Sequence, residues 1–219
     1  MLCVPLLFST NCFAGQQWIY FHDKEINGSV VDVETSKPIE GAIVIGMWAL
    51  TQIPGEGFGG YAKIVSVTTD KDGNFTIPSW TTFKPWKFNS VIHELAPEII
   101  IYKPGYKLYH SHKVQREGFW DDYSKTEEEK KRIKDAASLN HAKLKKIYTD
   151  EERARNLERV ETEGRLFDLT ENLSKKEAII LIKAVKEEYL LLPKNRKERF
   201  KYMDQIEEHL PGGKKRGIS

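Results

Sequence analysis

The sequence predicts a mainly β fold followed by a helical C-terminal part, which makes the whole chain α+β. In the first half, apolar and polar residues alternate between turns that contain Gly and Pro, a pattern typical of short strands. Charge separates the halves, because 22 of the first 121 residues are charged, against 44 of the remaining 98. The second half is rich in Lys, Glu, Leu and Ala, the composition of exposed amphipathic helices.

Strands are predicted wherever an apolar pattern runs between turn residues. These are residues 25–32, 41–51, 61–69, 74–78 and 97–103. Residues 34–38 and 70–73 supply tight turns, and residues 53–60 read as a Gly-rich loop. The run at 41–51 is apolar almost throughout, which indicates a strand with little exposure to water.

Residues 79–96 are predicted to form a long ordered loop, because their aromatic side chains are hard to leave in water. Flat rings give a large contact area at a small cost in conformational entropy. The candidate ligand-binding residues are therefore aromatic, with one more from a later segment: Trp80, Phe83, Trp86, Phe88 and Trp120. The alternative is that these rings cover one end of the β core.

Capping boxes place the helices. Boxes at Thr126, Thr149 and Ser174 predict a short charged helix at 126–137 and two later helices, the second ending before Pro193. A closing strand is predicted at 141–147, ahead of a helical extension at 149–210 and a basic flexible tail at 211–219. Composition thus predicts that residues 16–148 fold without the extension.

Four short sequence signatures follow one another along the first half of the chain. They are Ile26-Asn27-Gly28-Ser29-Val30-Val31-Asp32, Lys37-Pro38-Ile39-Glu40-Gly41-Ala42, Thr69-Asp70-Lys71-Asp72-Gly73-Asn74-Phe75 and Lys103-Pro104-Gly105-Tyr106. With the Leu144-Lys145-Lys146 strand, they resemble the carboxypeptidase regulatory-like domain, a transthyretin-like antiparallel β-sandwich, over residues 25–147. The resemblance implies a binding and scaffolding module without catalytic residues. The predicted structural turn residues are Gly28, Pro38, Gly41, Asp70, Gly73, Gly105 and Tyr106.

The first 14 residues resemble a secretory signal. Their apolar stretch is too short to span a bilayer, and Ala14 is the small residue expected before a cleavage site. We therefore expect export to the periplasm, the envelope or the medium, with both cysteines removed with the signal. A buried N-terminal strand is the other interpretation of the same stretch.

The charge pattern and the motifs of the sequence argue against binding of nucleic acids or cofactors. The net charge is +2, and basic residues are interleaved with acidic ones, so the sequence shows no phosphate-binding stripe. Residues 55–60 satisfy G-x-G-x-x-G, but a strand pattern follows where a dinucleotide site needs a helix. We expect no cofactor.

One coincidence suggests zinc. His22 and Glu25 have the H-x-x-E spacing by which zinc carboxypeptidases hold their metal, and His141 could be a third ligand. His110 and His112 would share one face of an extended segment, but without a third ligand nearby in the sequence we expect them to be isolated surface histidines. We expect no metal, because the peptidase chemistry belongs to a much larger domain.

The function predicted from sequence is that of a non-catalytic, exported binding or scaffolding module that engages a protein or another envelope component. The first alternative is a carbohydrate-binding accessory module that uses the aromatic loop at 80–88. The second alternative is a zinc-dependent, peptidase-like enzyme built on His22 and Glu25.

Overall fold

The computed structural model describes residues 20–52, 57–83, 90–92, 97–111, 139–162 and 165–204, and within them the chain is mainly β with a helical C-terminal part. The fold class predicted from sequence is confirmed. The described strands are β1 Tyr20–Asp23, β2 Ile26–Asp32, β3 Ile43–Gln52, β4 Phe58–Thr68, β5 Asn74–Ile77, β6 Trp80–Phe83, β7 Ser90–Ile92, β8 Glu98–Tyr102, β9 Tyr109–His110 and β10 Ala142–Leu144. The described helices are α1 Asp150–Thr162, α2 Leu166–Asn172, α3 Lys175–Leu190 and α4 Lys194–Lys197, with 3₁₀ turns at Leu139–His141 and Glu198–Asp204.

The larger sheet is the middle layer of the molecule. Its strand order is β4-β3-β8-β9, and β7 also pairs with β3. The first eight residues of β3 are buried apart from Ala49, because both faces of this sheet are covered. That double burial explains the continuous apolar run at 41–51.

A three-stranded sheet, in the order β10-β2-β5, packs on one face of the larger sheet. The core between the two sheets is formed mainly by Val30, Phe75, Ile77, Ala142 and Leu144 from the smaller sheet and Val44, Trp48, Leu50, Ile99, Ile101 and Tyr109 from the larger one. Strand β10 runs parallel to β2, unlike the antiparallel arrangement expected from the resemblance. A parallel neighbour is possible because β10 arrives through a long connection instead of a hairpin.

The helices cover the other face of the larger sheet. Ile43, Ile45 and Met47 of β3 and Ile100 and Tyr102 of β8 are at most 2 % exposed and belong to one core cluster with the helices. The helical members of that cluster include Leu157, Leu169, Leu181, Ile182, Val185 and Phe200. The predicted extension is therefore a third layer packed on the sheet.

Parts of the strand prediction were wrong. The predicted loop at 79–96 contains β6 and β7, and the predicted loop at 53–60 ends inside β4, which starts at Phe58. Strand β1, before the predicted start of the domain, pairs with β6. These strands are three or four residues long or bulged, so their alternation is too brief to identify locally.

Several predictions lie outside the described residues: the signal at 1–14, the helix at 126–137, the end of the extension after Asp204 and the tail at 211–219. Among the helices that the structure describes, none combines the length and apolar character needed to cross a bilayer.

Candidate functional site

The predicted aromatic site is only partly described. Trp80 lies in β6 and packs against Phe21 and Trp48, with ring centroids 5.1 and 5.2 Å apart. Trp48 is fully buried, and its indole N–H donates to Asp23 Oδ2 at 2.6 Å, which holds β1 to the sandwich. Trp80 is therefore a packing residue at one end of the core.

The other predicted aromatic residues give less information. The backbone of Phe83 pairs with Tyr20, whereas Trp86, Phe88 and Trp120 lie outside the described part of the chain. The grouping of these rings with Trp80 in a ligand site therefore stays a prediction.

The histidines of the zinc hypothesis have local partners. Nδ1 of His22 is 2.9 Å from Thr81 Oγ1, and Nδ1 of His141 is 3.0 Å from Ser29 Oγ. Glu25 accepts a hydrogen bond from the Asn27 amide. Within the described ranges, no three His, Cys, Asp or Glu side chains are placed to hold a metal ion.

Of the two histidines at positions 110 and 112, the structure describes His110. Nε2 of His110 lies 3.8 Å from a Glu98 carboxylate oxygen, and His112 falls outside the described residues.

Most predicted turn residues occupy turns. Gly41, Gly73 and Gly105 have φ of 66°, 74° and 82°, in the left-handed region that favours glycine. Asp70 accepts the N–H groups of Asp72 and Asn74, both at 2.9 Å, and so closes the turn between β4 and β5. Pro38 forms an isolated β-bridge with Val31, and Tyr106 forms one with Lys146.

Gly28 was wrongly assigned to a turn. It lies inside β2, opposite Phe75. A Cβ at this position would lie 2.5 Å from the Leu139 carbonyl oxygen and 2.5 Å from the Phe75 ring, so glycine is needed for close packing.

Asp32 is the centre of a polar cluster that closes the end of β2. Its Oδ1 accepts the N–H groups of Glu34 and Thr35 at 2.9 Å, and Oδ2 accepts the Tyr106 hydroxyl at 3.1 Å. The N–H of Thr35 above all holds the pKa of this carboxyl well below its usual range. The Lys146 ammonium lies 3.4 Å away. These contacts tie the loop after β2 to the turn after β8 and to the segment after β10.

A different surface has the character of a binding site. Phe58, at the start of β4, is 50 % exposed although it is a large apolar side chain. The Arg165 guanidinium carbon lies 4.6 Å from the centre of the Phe58 ring, and the Tyr61 ring packs on it edge-on at 5.1 Å. We call these three residues the aromatic–arginine surface.

A hydrogen bond between Arg165 and Tyr61 holds the aromatic–arginine surface together. Nη1 of Arg165 donates to the Tyr61 hydroxyl at 3.0 Å, and this contact raises the pKa of Arg165, so the guanidinium stays charged. Burial raises the pKa of Tyr61, so its hydroxyl stays protonated at neutral pH. The exposed Phe58 ring therefore contacts both the charged guanidinium of Arg165 and the ring of Tyr61.

Arg165 has an unusual backbone. Its φ and ψ are 46° and 48°, a left-handed conformation immediately before α2. Non-glycine residues in this conformation are strained and are found disproportionately at functional sites. Here the conformation directs the side chain from the helical layer toward β4.

A cavity of about 230 Å³ adjoins the aromatic–arginine surface. It is lined by Glu161, Thr162, Arg165, Phe167 and Asp168, so one aromatic ring, two carboxylates and one guanidinium meet there. An aromatic ring beside an arginine is a combination that is enriched at protein-binding surfaces.

Sequence reasoning missed this surface for a definite reason. Phe58 lies among Gly57, Gly59 and Gly60, which read as a flexible loop, and Arg165 falls between two predicted helices. Its guanidinium reaches Phe58 only because α2 packs beside β4, and a single sequence does not show that packing.

Comparison of this chain with models of protein families, with curated proteins and with solved structures finds no match. The similarity to the carboxypeptidase regulatory-like domain therefore stays a prediction that rests on the four signatures.

Proposed function

We propose that this chain is a non-catalytic, exported binding module that engages a protein partner through the aromatic–arginine surface. The observation that carries the proposal is the half-exposed ring of Phe58 in contact with Arg165 and Tyr61. Aromatic and arginine side chains dominate the binding energy of protein interfaces, and rigid ones lose little entropy when a partner binds.

The chemistry of the described residues supports binding over catalysis. The strongly perturbed carboxyl of Asp32 is used by backbone N–H groups and by Tyr106. Glu188, which is fully buried, is used by Arg153 and the Gly105 N–H. These groups stabilise the fold and have no visible access for a substrate.

The proposal is tested by placing a photoreactive phenylalanine analogue at position 58 and irradiating intact cells. The matched control carries the same analogue at Val33, which is 44 % exposed and lies in the turn that follows β2. We expect one discrete adduct from position 58 that position 33 does not give, and mass spectrometry identifies the adduct.

The identified partner is then purified and titrated against the unmodified chain and against Phe58→Ala. Loss of a central interface ring should weaken binding at least about tenfold. Equal affinities, or the same adducts from positions 58 and 33, would overturn the proposal.

A further inference from the structure

After α3 the chain folds back along the helical layer. Residues Lys194–Asp204, which we call the return segment, comprise α4 and the second 3₁₀ turn. Phe200 and Met203 are 1 % and 0 % exposed and belong to the core cluster of the helices. Both side chains are buried in the helical core and anchor the segment.

Polar pairs align the return segment with α1. Nη1 of Arg196 lies 2.5 Å from Oε2 of Glu151, and Arg199 forms an ion pair with Glu158. The Tyr202 hydroxyl donates to Glu161 at 2.9 Å. All three carboxylates come from α1. The segment therefore presents a basic edge to an acidic helix and an apolar side to the core.

The contact to α3 is made by the helix end. The Lys197 ammonium donates to the Leu190 carbonyl at 2.9 Å and lies 5.4 Å from the centre of the Tyr189 ring. A lysine at this position suits the negative end of the α3 dipole. The groove that receives the segment is thus acidic along α1 and electron-rich at the end of α3.

The resident segment is an imperfect helix. Helix α4 has four residues and no side-chain cap, and Phe200 has a non-helical φ of −118° within the 3₁₀ turn. The Arg199 side chain is 64 % exposed, so water and salt weaken its ion pair with Glu158. Because the backbone is kinked at Phe200, the two buried side chains are the main anchors of the segment.

We propose that the groove between α1 and α3 is a binding site for basic amphipathic segments with apolar side chains three residues apart. The return segment is its internal occupant, and a segment of this chemistry on a protein partner displaces it. This is helix-in-groove recognition, with the chain's own residues holding the site closed. The groove meets the cavity beside the aromatic–arginine surface at Glu161, but this proposal is argued from the contacts of the return segment and does not depend on Phe58.

The probe is a labelled peptide with the sequence of residues 194–204, added to the full chain. In Phe200→Ala the resident segment loses one anchor, so the peptide, which keeps its phenylalanine, should bind saturably and raise the melting temperature. The unmodified chain should bind the peptide at least about tenfold more weakly, because its own segment competes. Fluorescence anisotropy and thermal melts measure the two effects.

The matched control is Leu144→Ala, which removes a side chain that is 1 % exposed in the core between the two sheets. The peptide should leave the melting temperature of this variant unchanged. If Phe200→Ala does not fold, Met203→Ala takes its place, since the peptide supplies that anchor as well.

Charge reversal tests the register. In the Phe200→Ala background, Glu158→Arg should weaken peptide binding roughly threefold to tenfold, and a peptide carrying Arg199→Glu should restore it. A peptide that stabilises Leu144→Ala as much as Phe200→Ala, or that binds regardless of these reversals, would overturn the proposal. Absence of binding to both anchor variants would do the same.

Discussion

At the scale of single residues, backbone conformation was the most predictable property of this chain. Gly41, Gly73 and Gly105 were expected at turns from short signatures, and all three have positive φ. Such turns are specified within four or five residues, so one sequence is enough to locate them. Gly28 shows the limit, because its requirement for glycine comes from Phe75 and Leu139, which lie far away in the chain.

Gly73 and Gly105 should differ in their tolerance of alanine. Both substitutions place a Cβ on a left-handed backbone, which costs about 1 kcal/mol. At Gly105 the new Cβ meets nothing within 4 Å, whereas at Gly73 it lies 2.6 Å from the Val30 carbonyl oxygen. In urea denaturation we expect Gly73→Ala to lose clearly more free energy of unfolding than Gly105→Ala. Equal losses would show that the turn at Gly73 relaxes freely.

At the scale of elements, the contacts between helices and sheet decide the architecture. Glu177 illustrates this, since one of its oxygens accepts the Ser174 N–H in the predicted capping box and the other accepts the Ser66 N–H on β4. Asn156 of α1 likewise accepts the Leu108 N–H at 2.7 Å and donates to the Tyr106 carbonyl at 3.0 Å. The sequence predicted the capping box, but nothing local indicated the second partner.

Glu188 makes a further contact of this kind, in a buried ion pair. It is fully buried, lies 2.5 Å from Arg153 Nη1 and accepts the Gly105 N–H. Burial raises the pKa of Glu188, while the Gly105 N–H and Arg153 oppose that shift. The carboxylate therefore joins α3, α1 and the turn after β8.

Glu188→Gln should destabilise the chain by on the order of 3 kcal/mol, because the guanidinium of Arg153, whose side chain is only 15 % exposed, loses its counter-charge. Chemical denaturation provides the measurement. Glu187→Gln, at the exposed neighbouring position, is the control and should change stability by less than about 0.5 kcal/mol. Similar losses for both variants would contradict a structural role for the buried pair.

At the scale of the whole molecule, the order of the layers was the least predictable feature. Composition separated a β part from a helical part correctly, since both patterns are local. It did not show that the helices cover the larger sheet. The signal was present in β3, whose uninterrupted apolar run needs a cover on both faces, but a single sequence does not say what provides it. The aromatic–arginine surface was missed for the same reason, because it joins the sheet to α2.

Removal of the helices is the decisive test of this architecture. Composition predicted that residues 16–148 fold alone, whereas the structure leads us to expect that this fragment loses its cooperative unfolding transition. Truncation after Tyr148 exposes the side of the sheet formed by Ile43, Ile45, Met47, Ile100 and Tyr102, all at most 2 % exposed in the full chain. Burial of five such side chains contributes on the order of 10 kcal/mol, comparable with the net stability of a whole domain.

The matched control for this test is a chain that ends after Asp204 and so keeps every described helix. It should retain a cooperative melt, measured by circular dichroism, and elute as the full chain does. The fragment 16–148 should instead bind a hydrophobic dye and aggregate, because its exposed sheet face is large and apolar. A sharp melt of the fragment at the midpoint of the control would mean that the sandwich is stable without its third layer, and the shared core would then contribute little to stability.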